Sequence, residues 1–193
     1  IVQERDFDVS RETDQPDRRT DEEVYAAAMS RGALCTKCPL YGKHQGPVMR
    51  PIKHGPLTVL AESPSPAEIK LGEPMIGQSG LVLNEALLKG NLHRENVTIL
   101  NTICCRPEED YQEYHARIII EWEIAVKAAK VRGDDPETWP AKPMTPEECC
   151  FPRLQRDMRE AQEAGTNTVA VVGGTALRAV AKVYEIPYGG QAK

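Results

Sequence analysis

The 193-residue sequence predicts an α/β domain built around a parallel sheet, and three stretches carry that prediction. Leu57-Thr58-Val59-Leu60 is a short apolar run with the composition of a buried strand. Val97 to Pro107 supplies a second, in which Val97, Ile99, Leu100 and Ile103 form the apolar run and Pro107 stops it. A glycine-spaced loop and a helical pattern separate the two, which makes a strand, helix, strand unit of parallel sense. Thr168-Val169-Ala170-Val171-Val172 reads as the clearest buried strand of the chain, and Gly173-Gly174-Thr175 turns it into a last helix through about Tyr184.

Taken in order, residues 1 to 20 are crowded with charge and poor in apolar positions, so they read as an arm that cannot fold alone. Thr20 and Glu23 have the spacing of a capping box ahead of a short helix through Met29, which leads to Cys35. From Lys37 to His54 there is no acid, and Lys37, Lys43, Arg50 and Lys53 form a basic, phosphate-facing stretch inside an acidic chain. After the first strand come Ala61-Glu62-Ser63-Pro64-Ser65 and then Gly72, Pro74, Gly77 and Gly80, spaced to lie close against a ligand or another backbone. The following helix, about Gly80 to Lys89, turns Leu83 and Leu87 to one face.

A charged insert spans about 108 to 144. Its helix, Tyr114 to Val131, sets Ile118, Trp122, Ala125 and Ala129 at helical spacing and ends at Gly133. Trp122 and Trp139 read as anchors of the insert. Thr145-Pro146 with Glu147 and Glu148 has the form of a helix start, and the pattern runs through Leu154, Met158 and Ala161 to Gly165. His44, His54, His93 and His115 match no ligand or catalytic spacing and are expected at the surface.

The totals narrow the class. A formal charge of -5 argues against a protein that grips phosphates over its whole surface. No apolar run approaches the roughly 20 residues of a membrane helix, and the first residues lack the basic-then-apolar pattern of a signal peptide. A reducing, cytoplasmic setting is therefore expected, where six cysteines point to metal ligands or free thiols rather than disulfides.

The chemistry gathers at strand ends. Ligands of α/β sheets bind beyond the carboxyl ends of the strands, and there the chain delivers Glu62 and Asn101. Cys35 and Cys38 have two residues between them, a spacing that grips one metal or one cluster edge. Between Cys38 and Cys105 lie 66 residues, and between Cys105 and Cys150 another 44. Spacing alone leaves zinc and a cubane iron-sulfur cluster both open. Cys105 is preferred to Cys104 because a strand alternates its faces and Arg106-Pro107 marks the turn; Cys150 is preferred to Cys149.

Together these pieces resemble the iron-sulfur uracil-DNA glycosylases, the family 4 type and its relatives. The matching residues are Cys35-x-x-Cys38-Pro39-Leu40, Glu62-x-Pro64 after a strand, Gly72-x-Pro74-x-x-Gly77-x-x-Gly80-x-x-Leu83, Asn101-x-x-x-Cys105-Arg106-Pro107 and Glu148-x-Cys150-x-Pro152-x-Leu154. The resemblance implies a three-layer fold with a central, mostly parallel four-stranded sheet, here with the helical insert, over residues 21–193. It implies a [4Fe-4S] cluster on Cys35, Cys38, Cys105 and Cys150. It also implies a base pocket lined by Ser63, Pro64, Met75 and Gly77, where Glu62 assists water attack at the sugar C1′ and Asn101 reads the uracil edge. DNA is the partner it implies, in the cytoplasm of a bacterial or phage-infected cell.

Three departures qualify the resemblance. Family members have glycines where this chain has Ala61 and Ser65, and an aromatic where it has Met75. The family's histidine loop belongs beyond the last helix, so the C-terminal part of the domain is expected to be missing. The long insert resembles glycosylase-like domains fused to phage DNA polymerases, which makes a polymerase or other replication protein a further expected partner. The alternative to an active glycosylase is a degenerate DNA-binding or docking module.

Overall fold

The computed structural model describes residues 20–42 and 46–187. The arm up to Arg19, together with Lys43 and His44 of the basic stretch, lies outside the described residues. Three parallel strands, β1 (Leu57–Ala61), β2 (Val97–Asn101) and β3 (Thr168–Val171), form a sheet in the order β2-β1-β3. Leu57 pairs with Val97 and Ala61 with Asn101 on one side, and Leu57 with Thr168 on the other.

Strand alternation divides the core. Val59 and Ala61 of β1, with Val97 and Ile99 of β2, pack with Met75 and with Leu83 and Leu87 of α3 (Gln78–Lys89). Leu60 and Leu100 point the other way, onto Leu154 and Met158 of α5 (Pro146–Glu163) and onto Ala176 and Val180 of α6 (Gly174–Val183). The result is the expected three-layer α/β arrangement, with three strands of the sheet among the described residues. Thr168–Val172 differs from its reading as a fully buried strand: β3 is half-exposed, because among the described residues it pairs with β1 alone.

Local rules place the remaining helices. Both halves of the Thr20 and Glu23 capping box form at the start of α1 (Asp21–Ser30). A short α2 (Pro66–Leu71) occupies the segment after Glu62, started by a capping box between Ser65 and Glu68 with Pro66 in the first turn, and ended by left-handed Gly72. α4 (Tyr111–Arg132) begins three residues earlier than its apolar pattern indicates, because the Asp110 carboxylate accepts the Gln112 N–H at 2.9 Å. Both tryptophans anchor the insert: Trp122 Nε1 donates to the Pro140 carbonyl at 2.9 Å and Trp139 Nε1 to that of Asp134 at 3.1 Å. α5 starts with its own capping box at Thr145 and continues through Pro152. Among the described residues no helix is long and apolar enough to cross a membrane.

A third core cluster sits beside the sheet. It brings together Tyr25 and Ala28 of α1, Leu40, Ile103, and Tyr111, Tyr114 and Ile118 of α4 around Cys35, Cys105 and Cys150.

Candidate functional site: the strand ends and the cysteine cavity

The sheet's pairing continues past its strands. The Thr102 N–H donates to the Ala61 carbonyl at 2.8 Å and the Ile103 N–H to that of Glu62 at 2.9 Å, so the backbones of Glu62 and Asn101 run side by side. Asn101, the register partner of Ala61, shares the face on which Ala61 meets Met75. Its side chain is buried, and neither Oδ1 nor Nδ2 has a hydrogen-bond partner among the described residues. An unpaired buried polar group costs about 1 to 3 kcal/mol.

Glu62 leaves the sheet edge on the other side, toward α4 and α6. Its carboxylate accepts a hydrogen bond from Gln112 Nε2 at 3.2 Å, and the same nitrogen lies 3.0 Å from Thr175 Oγ1. Glu147 is close enough to add negative charge; burial holds its own carboxyl above the usual range, against the lowering effect of Arg178 and His115. Gln112, Thr175 and Glu147 carry no sequence signal of their own. Only the folding of α4, α5 and α6 onto the strand ends assembles them around Glu62.

The glycine-spaced loop is clamped rather than free. Glu73 pairs with Arg50 at 2.6 Å and lies 3.7 Å from Arg94, which donates to Asn84 Oδ1 at 2.9 Å and to the Pro74 carbonyl. Met75 is buried with a φ of +55°, a left-handed conformation that is strained for a residue with a side chain. Gly80 holds that geometry open, since a Cβ there would lie 1.9 Å from the Met75 carbonyl oxygen. Gly77 is less constrained: a Cβ would meet only Ser65 Oγ, at an ordinary 3.5 Å. Ser63 is half-buried, and the carbonyl of buried Pro64 lies 3.4 Å from Arg106 Nη1.

Of the basic stretch, Lys37 is exposed and Lys53 half-buried, its backbone exchanging hydrogen bonds with Thr98 Oγ1 at 2.9 and 3.1 Å. Arg50 is committed to Glu73, which leaves it less able to meet a phosphate.

All six cysteines border one cavity, together with Tyr25, Ala28, Tyr41 and Pro47. Backbone hydrogen bonds bring the three segments there: the Leu34 N–H donates to the Cys149 carbonyl at 2.9 Å, and the Val48 N–H to that of Cys104 at 2.8 Å. The expected choice of Cys105 over Cys104 assumed strand alternation, but β2 ends at Asn101 and residues 102–105 bend, so both thiols reach the cavity. Burial pushes the Cys35 thiol up to about 11 and that of Cys105 to about 12, with Cys150 adding to each. Interaction with the neighbouring thiol moves Cys104 up and Cys150 down to about 6, and likewise raises Cys38 and lowers Cys149. Among the described residues no group of three or more His, Cys, Asp or Glu side chains is arranged to hold a single metal ion.

One buried cation joins the cavity to the strand ends. Arg153, 1% exposed, acts on Cys104 and Cys150, pairs with Asp157, and donates from Nη2 to the carbonyls of Asn101 at 2.7 Å and Thr102 at 3.1 Å. Arg31 supports Asp157 from outside and reaches Glu160 at 2.6 Å. The sequence did carry this signal as an i, i+4 pair on α5, a spacing usually met on solvated helix faces.

A parallel α/β sheet with an acid and a buried amide at the carboxyl ends of adjacent strands places the chain among the α/β proteins whose ligands bind beyond the strand ends. Residues 50–192 match the uracil DNA glycosylase superfamily, and the chain belongs to that superfamily. It is similar to the type-4 uracil-DNA glycosylase of Thermotoga maritima, 34% identical over 92 residues that make up 46% of each chain. The type-4 uracil-DNA glycosylase of Pyrobaculum aerophilum is 37% identical over 75 residues, 38% of each chain. The matched stretch thus spans less than half the length of these curated relatives.

Proposed function

We propose that this chain excises uracil, or a closely related base, from DNA by hydrolysing its N-glycosidic bond. The observation that carries the reading is the Asn101 amide, buried at the carboxyl end of β2 with both polar atoms unpaired among the described residues. A base must leave the stack to be excised, and one amide donates to and accepts from a pyrimidine edge at once. Ser63, Pro64, Met75 and Gly77 would line the pocket, with Met75 covering the ring. The Glu62 carboxylate, oriented by Gln112, would position the attacking water and offset the positive charge that grows on the sugar as the bond breaks. Lys37, Lys43, Arg50 and Lys53 would face the DNA backbone, with Arg50 exchanging Glu73 for phosphate.

The cysteine cavity fits an iron-sulfur cluster by its donor set. Five of its six thiols are buried, they come from three segments, and they are not drawn in to the short spacing of a single-ion site. Cys35, Cys38, Cys105 and Cys150 would hold a [4Fe-4S] core. Bound there, the core would supply a tie between distant segments rather than a redox step.

Release of uracil from single- and double-stranded oligonucleotides tests the proposal. Glu62→Gln and Asn101→Ala are each expected to slow release by about 10² to 10⁴-fold. Binding of uracil-containing DNA without release would support the second reading, a glycosylase-like docking module for a replication or repair partner. That reading is favoured by Met75, which offers a base a less rigid cover than an aromatic ring.

A further inference from the structure

β2 ends at Asn101, yet the next two peptide groups are still tied to the end of β1. The group that links Asn101 to Thr102 gives its N–H to the Ala61 carbonyl at 2.8 Å, and the group that links Thr102 to Ile103 gives its N–H to the Glu62 carbonyl at 2.9 Å. Their carbonyls have no further strand to pair with among the described residues, because β2 is an outer strand of the sheet. A single guanidinium takes that place. Arg153 Nη2 donates to the Asn101 carbonyl at 2.7 Å and to the Thr102 carbonyl at 3.1 Å, so both peptide groups are held at both ends. The other arm of the fork, Nη1, donates to the Asp157 carboxylate one turn along α5, and Arg31 of α1 steadies that carboxylate from outside. Arg153, Asp157 and Thr102 are all buried, so solvent is kept from these bonds.

We infer that Arg153 is the positioning residue of the base-reading amide: by fixing the two peptide groups that follow the Asn101 Cα, it sets the direction in which the Asn101 side chain meets the base, without touching the base itself. The inference rests on the glycosylase reading above. It adds a residue of α5 to a pocket otherwise built from the strand ends and the loops after them. The planar fork suits this task, since it presents its donors in fixed directions to two carbonyls and a carboxylate at once, whereas an ammonium is a point charge on a flexible stem. The Glu62 carboxylate has a separate hold in Gln112, so the influence of Arg153 on the reaction passes through Asn101.

Arg153→Lys in the whole chain keeps the charge and loses the fork, and it tests this in samples matched to wild type in circular dichroism and iron content. Release of uracil from a single-stranded oligonucleotide is expected to slow by about 10²-fold, the cost of a small misplacement of a binding group. Affinity for the same oligonucleotide carrying an abasic site, which offers no base to read, is expected to stay within about twofold of wild type. In an Asn101→Ala background the exchange is expected to slow release by no more than about a further twofold, because a positioning residue has nothing left to position. Asp157→Asn loosens the far arm of the guanidinium and is expected to show the same pattern in smaller size. It carries the test if Arg153→Lys does not fold.

Release at the wild-type rate by folded Arg153→Lys, or by Asp157→Asn in its place, overturns the inference and leaves the glycosylase reading intact. A loss that recurs in full in the Asn101→Ala background, or that extends equally to abasic DNA, overturns it as well, since Arg153 would then support the fold at large. A wild type that releases no uracil overturns the glycosylase reading and this inference together.

Discussion

At the scale of single residues, the chain accepts burial costs in one small region. Arg153 lies fully inside, held by Asp157 and by the carbonyls of Asn101 and Thr102 while its Nε, like the neighbouring Asn101 amide, has no hydrogen-bond partner among the described residues. Arg153→Met would leave two carbonyls and part of a carboxylate unpaired, and is expected to cost about 3 to 5 kcal/mol in urea unfolding. Glu147 gives the opposite sign. Burial raises its carboxyl in the folded state above the unfolded value, so the folded state binds its proton more tightly. The resulting penalty is absent below the unfolded value near about pH 4 and grows to its full size as pH rises through the folded one. Glu147→Gln is therefore expected to be more stable than wild type at pH 7 and indistinguishable from it at pH 3; a variant less stable at pH 7 contradicts the burial argument. Of these residues the sequence marked Asn101 and Glu62 through their place after strands. Arg153 and Gln112 stayed hidden because an Arg or Gln on a helix reads as solvated until its neighbours are known.

At the scale of elements, the loop between α2 and α3 shows which glycine a backbone needs. Four residues, Gly72, Pro74, Gly77 and Gly80, suggested close approach, but of these Gly72 alone takes a left-handed φ, and Gly80, unlike Gly77, faces a carbonyl at a distance no Cβ tolerates. Gly80→Ala must push α3 away from Met75 and is expected to destabilise the chain by about 2 kcal/mol or more, with loss of any base binding. Gly77→Ala, at an ordinary φ of -75° and with free space, is expected to stay within about 1 kcal/mol of wild type. Thermal unfolding of the two variants separates them, and equal losses would refute the carbonyl contact. The capping residues of α2 were present as Ser65-x-x-Glu68, yet six residues without an apolar stripe do not announce a helix. β3 was legible as a strand but not as an edge, because an apolar run carries no record of how many neighbours pair with it.

At the scale of the whole molecule, the sheet and the cysteine cavity are two separate cores joined through β2. The sheet core follows from periodicity, which is a local property and was readable. The cavity depends on Cys35 and Cys38 before β1, Cys104 and Cys105 after β2, and Cys149 and Cys150 on α5, a convergence that only spacing and family resemblance foreshadowed. A cluster held as proposed would tie loops of 66 and 44 residues and so remove conformational freedom from the unfolded chain, as a covalent cross-link does. By the cross-link scale each loop is worth about 4 kcal/mol, and each such contribution corresponds to about 10 °C in Tm for a domain of this size. Removing iron with a chelator is accordingly expected to lower Tm by about 10 °C or more in wild type and to leave Cys35→Ala, which lacks one of the proposed cluster ligands, almost unchanged. The α3 side of the sheet, remote from the cysteines, should keep its slow amide exchange under the same treatment, while α1 and the first turn of α5 lose theirs. Equal Tm with and without iron in a chain that binds four irons would mean that the cysteine cavity is already fixed by its backbone hydrogen bonds, and the cluster would then need another reason to be there.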